Sequence, residues 1–185
     1  MKLLRRFKEL YPNVNVSINL GNSDEVMRRL NEQRADIAIV SQIKPTVGIV
    51  GTRFKKQSVL AFVSRAHDWA KRDSIKLAEL DGQNMVMREE GSTTRLMAEL
   101  AFEKYKIKPN IVMEVGSREA VWEAVAEGHG IGLVSEISLR PDARIKTLSI
   151  SDHDMQKDIS IVCLERQAHA PTVRAFIELV ESIAV

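Results

Sequence analysis

Apolar and polar positions alternate along the chain in two periods, one helical and one of strands. Leu3, Leu4, Phe7 and Leu10 recur at the spacing of one helix face. Tyr11-Pro12-Asn13 stops that helix, because the residue before proline avoids helical angles. Val14, Val16, Ile18 and Leu20 alternate with polar residues, which predicts a strand over 14–20. Asn22 is placed to cap the next helix, with Glu25 completing a capping-box-like pair, and Val26, Met27 and Leu30 face inward up to about Gln33. Ala35 to Val40 reads as a short apolar strand ended by Ser41-Gln42. Helix, strand, helix, strand predicts a parallel sheet covered by helices.

The second half repeats this order. Val47 to Phe54 and Ser58 to Ser64 are extended, as two segments or one long kinked strand. Ile75 to Leu80 reads as a short helix with Ser74 as its cap. Asn84 to Tyr105 is the centre of the pattern: Met85-Val86-Met87 as a strand, a polar turn, then a helix with Leu96, Met97, Leu100 and Ala101 on its apolar side. Ile111 to Val115 is a further strand, and Gly116-Ser117-Arg118 opens a helix with Val121, Trp122 and Val125 inward. Gly128 and Gly130 end it, and Ile131 to Val134 is a strand closed by Ser135-Glu136. Arg144 to Ile150 and Ile159 to Leu164 are two more strands. The last helix starts at Pro171 and buries Val173, Phe176, Ile177, Val180 and Ile183.

In a parallel sheet the strand-to-helix turns share one edge, where ligands of open α/β sheets bind. Asn22-Ser23, Ser41-Gln42, Ser92-Thr93-Thr94-Arg95, Ser117-Arg118 and Ser135 fall at such places. Each is readable as a plain cap or turn. Together they would line a cleft with hydroxyl donors, helix N-termini and one or two arginines, a chemistry suited to a small anion. Arg95 could clamp that anion with its planar fork, or be a surface helix arginine. Glu89, Glu90 and Glu136 would receive an amino group, which leaves a zwitterion open.

Composition narrows the class. The 27 basic and 25 acidic residues leave a net charge of +2, and no basic block argues for nucleic-acid binding. Cys163, the single cysteine, sits in an apolar run and reads as a buried thiol. It cannot form an internal disulfide, in keeping with a reducing compartment. No apolar run approaches the ~18 residues of a membrane span, and MKLLRRFKELYP lacks the apolar core of a signal peptide. These point to the cytoplasm. The four histidines stand in separate contexts, and His153 between two aspartates lacks metal-ligand spacing. No catalytic motif, metal site or cofactor is expected.

Four stretches then bear a resemblance: FKELYPNVNVSINLGNSDEVMRRLNEQRADIAIV, GTRFKKQSVLAFVSRAHDWA, AVAEGHGIGLVSE and APTVRAFIELVES. In this order they resemble the effector-binding domain of LysR-type transcriptional regulators over nearly the whole chain. The resemblance implies a periplasmic-binding-protein-like (type 2) α/β fold, with two lobes joined by crossing strands. Lobe one would hold residues 1–57 plus 156–185, and lobe two 58–155. A small effector would lie in the inter-lobe cleft, at the matching positions Gly21 to Ser23, Ser41, Ser92 to Arg95, Ser117 and Ser135. It further implies a homodimer in which the helix at Met1 to Leu10 packs near the 118–128 helix of the partner. The family's helix-turn-helix, through which DNA is read, has no counterpart in this sequence, and the first strand of lobe one is expected to be missing. A sensor domain is the first reading. A transporter's solute-binding protein, a dehydratase-like enzyme using Glu89, Glu90 or Glu136, and a domain that only dimerises are the alternatives.

Overall fold

The structure, a computed structural model, describes residues 2–41 and 46–183. The chain divides into two compact units, one of residues 1–56 and 158–185, the other of residues 57–157. Gln42, one of the expected ligand-facing residues, lies outside the described residues.

The first unit contains α1 (Lys2–Leu10), α2 (Ser23–Asn31), β1 (Ala38–Ser41), the first half of β2 (Ile49–Ser64), most of β8 (Gln156–Leu164) and α5 (Pro171–Ile183). Phe7 of α1 meets Phe176 of α5 edge-on, with ring centroids 5.1 Å apart, and Ile161 and Val180 complete that core. Leu30 packs with Ala38, Val40, Val162 and Leu164. Pro171 opens α5, where proline's fixed φ suits the first helical position. Ile183 at its far end is exposed and Ile177 only half-buried, so the buried stripe is narrower than the sequence suggests. Cys163 is fully buried, and burial raises its thiol pKa.

Two expectations fail in this unit. No strand forms over 14–20 among the described residues, and Val16, Ile18 and Leu20 are exposed. Alternation marks one face as apolar; a strand also needs a neighbouring backbone to bond to, and alternation does not supply one. Nor is the sheet here parallel. β1 runs antiparallel to β8, with Ala38 opposite Val162 and Ser41 opposite Ile159, because the strand beside it arrives from the far end of the chain.

The second unit holds the rest of β2, β3 (Ser74–Ile75), β4 (Asn84–Arg88), α3 (Thr93–Tyr105), β5 (Asn110–Val115), α4 (Arg118–Ala126), β6 (Gly132–Ser135) and β7 (Ile145–Ile150). The two extended segments of the sequence are one 16-residue strand, β2. It pairs antiparallel with β6 and β7. β4 and β5 are parallel, and Met85 bridges in parallel to Ile131 just before β6. The carboxyl ends of β4, β5 and β6 therefore share one edge. Ile75 to Leu80 is not a helix: Ser74-Ile75 pairs with β7, and only Leu77–Leu80 forms a 3-10 turn, with the Lys76 amide donating to Glu79 at 2.8 Å.

α3 buries Ala98, Ala101 and Phe102, while Leu96 and Leu100 are 48% and 55% exposed. The expected face was turned by about one residue, because small alanines allow the helix to lie close to the sheet while the leucines stay outside. α4 buries Val121, Trp122 and Val125, as its spacing predicts. It ends with Gly128 at φ +85°, whose amide donates to Val125 at 2.9 Å, a turn that a side chain would strain. Gly130 serves closeness instead: a Cβ there would stand 2.5 Å from the Asn84 carbonyl oxygen. Among the described residues no helix is long and apolar enough to cross a membrane.

Candidate functional site

Three strands of the second unit deliver polar groups to the same edge. β4 ends at Arg88, β5 at Val115 and β6 at Ser135. α3 starts five residues after β4, and α4 three residues after β5. Their N-termini bring the positive ends of two helix dipoles to that edge. A cavity of about 370 Å³ opens there. Arg88, Thr94, Arg118 and Ser135 line its polar side, and Phe62 and Trp122 its apolar side.

The apolar wall is held by ring and hydrogen-bond contacts. Trp122 stacks on Phe62 with centroids 5.1 Å apart, and its indole N–H donates to Asp142 at 2.9 Å. Arg140 lies over the Trp122 ring, 5.2 Å from the centroid. Arg144 beside Asp142 and the indole bond hold the Asp142 carboxyl well below the usual carboxylate range. The Trp122 anchor therefore stays ionised at any physiological pH.

The polar wall is mixed in charge. The Arg88 guanidinium, 11% exposed, forms a two-pronged pair with Glu89, both contacts at 2.7 Å. Arg118 and Glu119 stand side by side at the start of α4 and both line the cavity. Ser135 is 7% exposed, lines the cavity and makes no capping hydrogen bond. Ser92, 5% exposed, likewise has no side-chain capping bond at the start of α3.

Behind Thr94 lies Lys157, on β8 and 5% exposed. Its ammonium donates to Thr94 Oγ1 at 2.9 Å. Burial, and then the charges of Arg118 and Arg88, lower its pKa to about 8. The arrangement is a layer of hydroxyls and helix amides backed by a buried cation. Such a site receives oxygen acceptors that carry negative charge.

The residues expected from sequence divide among these places. Thr94 and Ser135 line the cavity. Ser92 and Thr93 are buried at the α3 N-terminus. Ser117 caps α4, its hydroxyl accepting from the Ala120 amide at 3.0 Å. Arg95 is held elsewhere: its guanidinium bonds Glu99 at 2.7 Å, the Arg88 carbonyl at 3.0 Å, and Glu114. The fork is occupied in tying α3 to β4 and β5. Gly21, Asn22, Ser23 and Ser41 belong to the first unit. There Asn22 Oδ1 caps α2 by accepting from Glu25 N at 2.9 Å, and Glu25 pairs with Arg29 at 2.6 Å.

Sequence reasoning missed Arg88 and Lys157 and gave Trp122 only a packing role. A signal for Lys157 was present: it sits two residues before Ile159 and four before Ile161, on the inward-facing alternation of β8. Arg88 had no comparable local mark. Among the described residues no group of three or more His, Cys, Asp or Glu is arranged to hold a metal ion.

A family model, the LysR substrate binding domain, matches residues 1–184. The HTH-type transcriptional activator CmpR of Synechocystis sp. is 30% identical over 151 residues, which are 82% of this chain and 50% of CmpR. An uncharacterized HTH-type transcriptional regulator of Methanocaldococcus jannaschii is 32% identical over 187 residues, covering 98% of this chain and 63% of that protein. The chain thus spans between half and two thirds of these relatives. The regulatory domain of Synechocystis CcmR, solved in complex with 2-PG, superposes with a TM-score of 0.89 at 24% identity, covering 99% of this chain and 89% of that one. The effector binding domain of QuiR, in complex with shikimate, does so with a TM-score of 0.89 at 23% identity, covering 97% and 87%. At these identities the structures establish a common fold, that of the type 2 periplasmic-binding-protein-like domains. With the model matching almost end to end and the fold in agreement, this chain belongs to the LysR substrate-binding domain family.

Proposed function

We propose that this chain is the effector-sensing part of a LysR-type transcriptional regulator, and that a small anion in the cavity of the second unit is its signal. One observation carries the reading: two helix N-termini, the hydroxyls of Thr94 and Ser135, and the cations Arg88, Arg118 and Lys157 are gathered around one cavity. The relatives are transcriptional regulators, and CcmR and QuiR hold small molecules, 2-PG and shikimate. The Phe62–Trp122 wall adds room for a short apolar body. Glu119 beside Arg118 leaves a place for an amino or hydroxyl group.

The test is a titration of the purified chain with small carboxylates, phosphate and sulfate, followed by calorimetry and by thermal shift. A ligand that binds only the folded state raises the melting temperature with its concentration. Binding should be lost in Arg118→Ala and Ser135→Ala proteins that still melt cooperatively. Retained affinity in both would remove this cavity from the function. Asn22→Ala and Ser41→Ala, run in the same titration, test the candidates of the first unit separately.

A second copy of the chain is the proposed protein partner, with α1 and α4 as the contacting helices. Sedimentation of the chain with and without a charge placed in α1 tests this. DNA is a proposed partner only through a helix-turn-helix outside these residues, of the kind the relatives' names carry.

A further inference from the structure

Lys157 does not line the cavity, yet it touches the residue that does. Its side chain is buried on β8, and among the described residues its hydrogen bond is to Thr94 Oγ1, at 2.9 Å. An ammonium group has three protons to give and nothing to accept with. The Thr94 oxygen is therefore the acceptor in this bond, and the hydroxyl proton of Thr94 has to point elsewhere. Thr94 faces the cavity.

The charges around Lys157 make this arrangement conditional. From β4 Arg88 and from α4 Arg118 oppose its charge, and α3 contributes the neutral Thr94. The carboxylate of Glu89 is engaged by Arg88, and Glu119 lies on the cavity wall. From β2 comes Gln57, 5% exposed, whose Oε1 has no hydrogen-bond partner among the described residues. Val59 N–H donates to the Met155 carbonyl and Glu165 N–H to the Gly48 carbonyl, so β2 and β8 run antiparallel and Gln57 stands beside Lys157. Among the described residues no anion pairs with this buried cation, which has two spare protons and two cationic neighbours, and the open volume in front of Thr94 is where one fits.

We infer that Lys157 is a positioning residue for anion binding: while charged, it keeps the Thr94 oxygen as its acceptor and so directs the Thr94 hydroxyl proton toward an anion in the cavity. This rests on the reading of the cavity as an anion site. A neutral Lys157 amine can itself accept, so the Thr94 proton turns back to it and the cavity loses both a donor and the charge behind it. Anion binding and protonation of Lys157 then reinforce each other by linkage. Because burial and the two arginines lower the Lys157 pKa to about 8, the change falls in an accessible range.

The experiment is calorimetric titration of the chain with sulfate, whose charge is constant from about pH 6.5 to about pH 9.5. Affinity should be flat below about pH 8 and fall about tenfold per pH unit above it, with proton uptake on binding in that limb. Lys157→Met should bind at the weak, high-pH level throughout, without a slope. Lys157→Arg, which keeps its charge, should bind with no slope at the higher level. Thr94→Val should lose both affinity and slope while Lys157 remains. Wild-type affinity that is flat through about pH 9.5 would overturn the inference and leave the anion site standing. So would a slope that persists in Lys157→Met. Sulfate that fails to bind the wild type at every pH would instead withdraw the anion site itself, and this role of Lys157 with it.

Discussion

Replacing Lys157 by methionine should make the empty protein more stable. An ordinary lysine titrates at 10.5, whereas this one is lowered to about 8, first by burial and then by Arg118 and Arg88. For a base, a folded pKa below the unfolded one means that the folded state holds fewer protons between the two values. Stability therefore rises with pH from about 8 to about 10.5, and below about 8 the charged lysine weighs fully against folding. The gap of about 2.5 pH units corresponds to about 3 kcal/mol at neutral pH. Methionine has similar length and removes the charge. It also gives up the bond to Thr94, worth about 1 kcal/mol. The net gain should be about 2 kcal/mol, or about 4–8 °C in melting temperature for a chain of this size. Urea unfolding followed by tryptophan fluorescence measures it in the right place, since Trp69 and Trp122, the two tryptophans, both lie in the second unit. The advantage of Lys157→Met should be full at about pH 7 and shrink toward pH 10.5. A variant less stable than wild type at neutral pH, or an advantage that does not change with pH, would refute the reasoning. A more stable protein with a weaker anion site is what a functional buried charge entails.

Other outcomes follow from the geometry. Arg95→Ala breaks the ties of α3 to Glu114 and to the Arg88 carbonyl, so it should cost about 1–2 kcal/mol in urea unfolding while leaving a measurable affinity for sulfate; complete loss of binding with unchanged stability would return Arg95 to the site. Gly132→Ala places a methyl group against the Phe62 ring and Val125, and overpacking there should cost about 1–3 kcal/mol and shift Trp122 emission; an unchanged spectrum and stability would mean that the Phe62–Trp122 wall is loose. Arg72, foremost by hydrogen bonding, holds the Glu79 carboxyl at about 2. Its contribution to stability is present above the ordinary value of 4.5 and fades as the pH falls toward 2, so Glu79→Gln should narrow the gap to wild type across that window in acid unfolding, and a constant gap would contradict the pairing.

The chain's periodicity determined much of the second unit without any tertiary information. Strand, polar turn and helix at Met85, Ser92 and Leu96, and again at Ile111, Ser117 and Val121, depend on neighbours within a few residues, and such preferences are local. So do the Ser117 cap, the Gly128 stop and the burial of Cys163. The family was legible for the same reason, since its marks are runs of consecutive residues. What the tertiary structure decided was pairing. Val14 to Leu20 alternates like a strand, but among the described residues no strand pairs with it; β1 has a neighbour, and it comes from β8 at the other end of the chain. The leucines of α3 lost the inner face to Ala98 and Phe102, because closeness to the sheet favours small residues there. Arg95 had Glu99 one helical turn away in the sequence, and the fold added Glu114. Lys157 joined the site only when β8 was laid behind Thr94, and Arg88 only when β4 was set parallel to β5. A charge acquires its role from groups distant in sequence, and local pattern is blind to them.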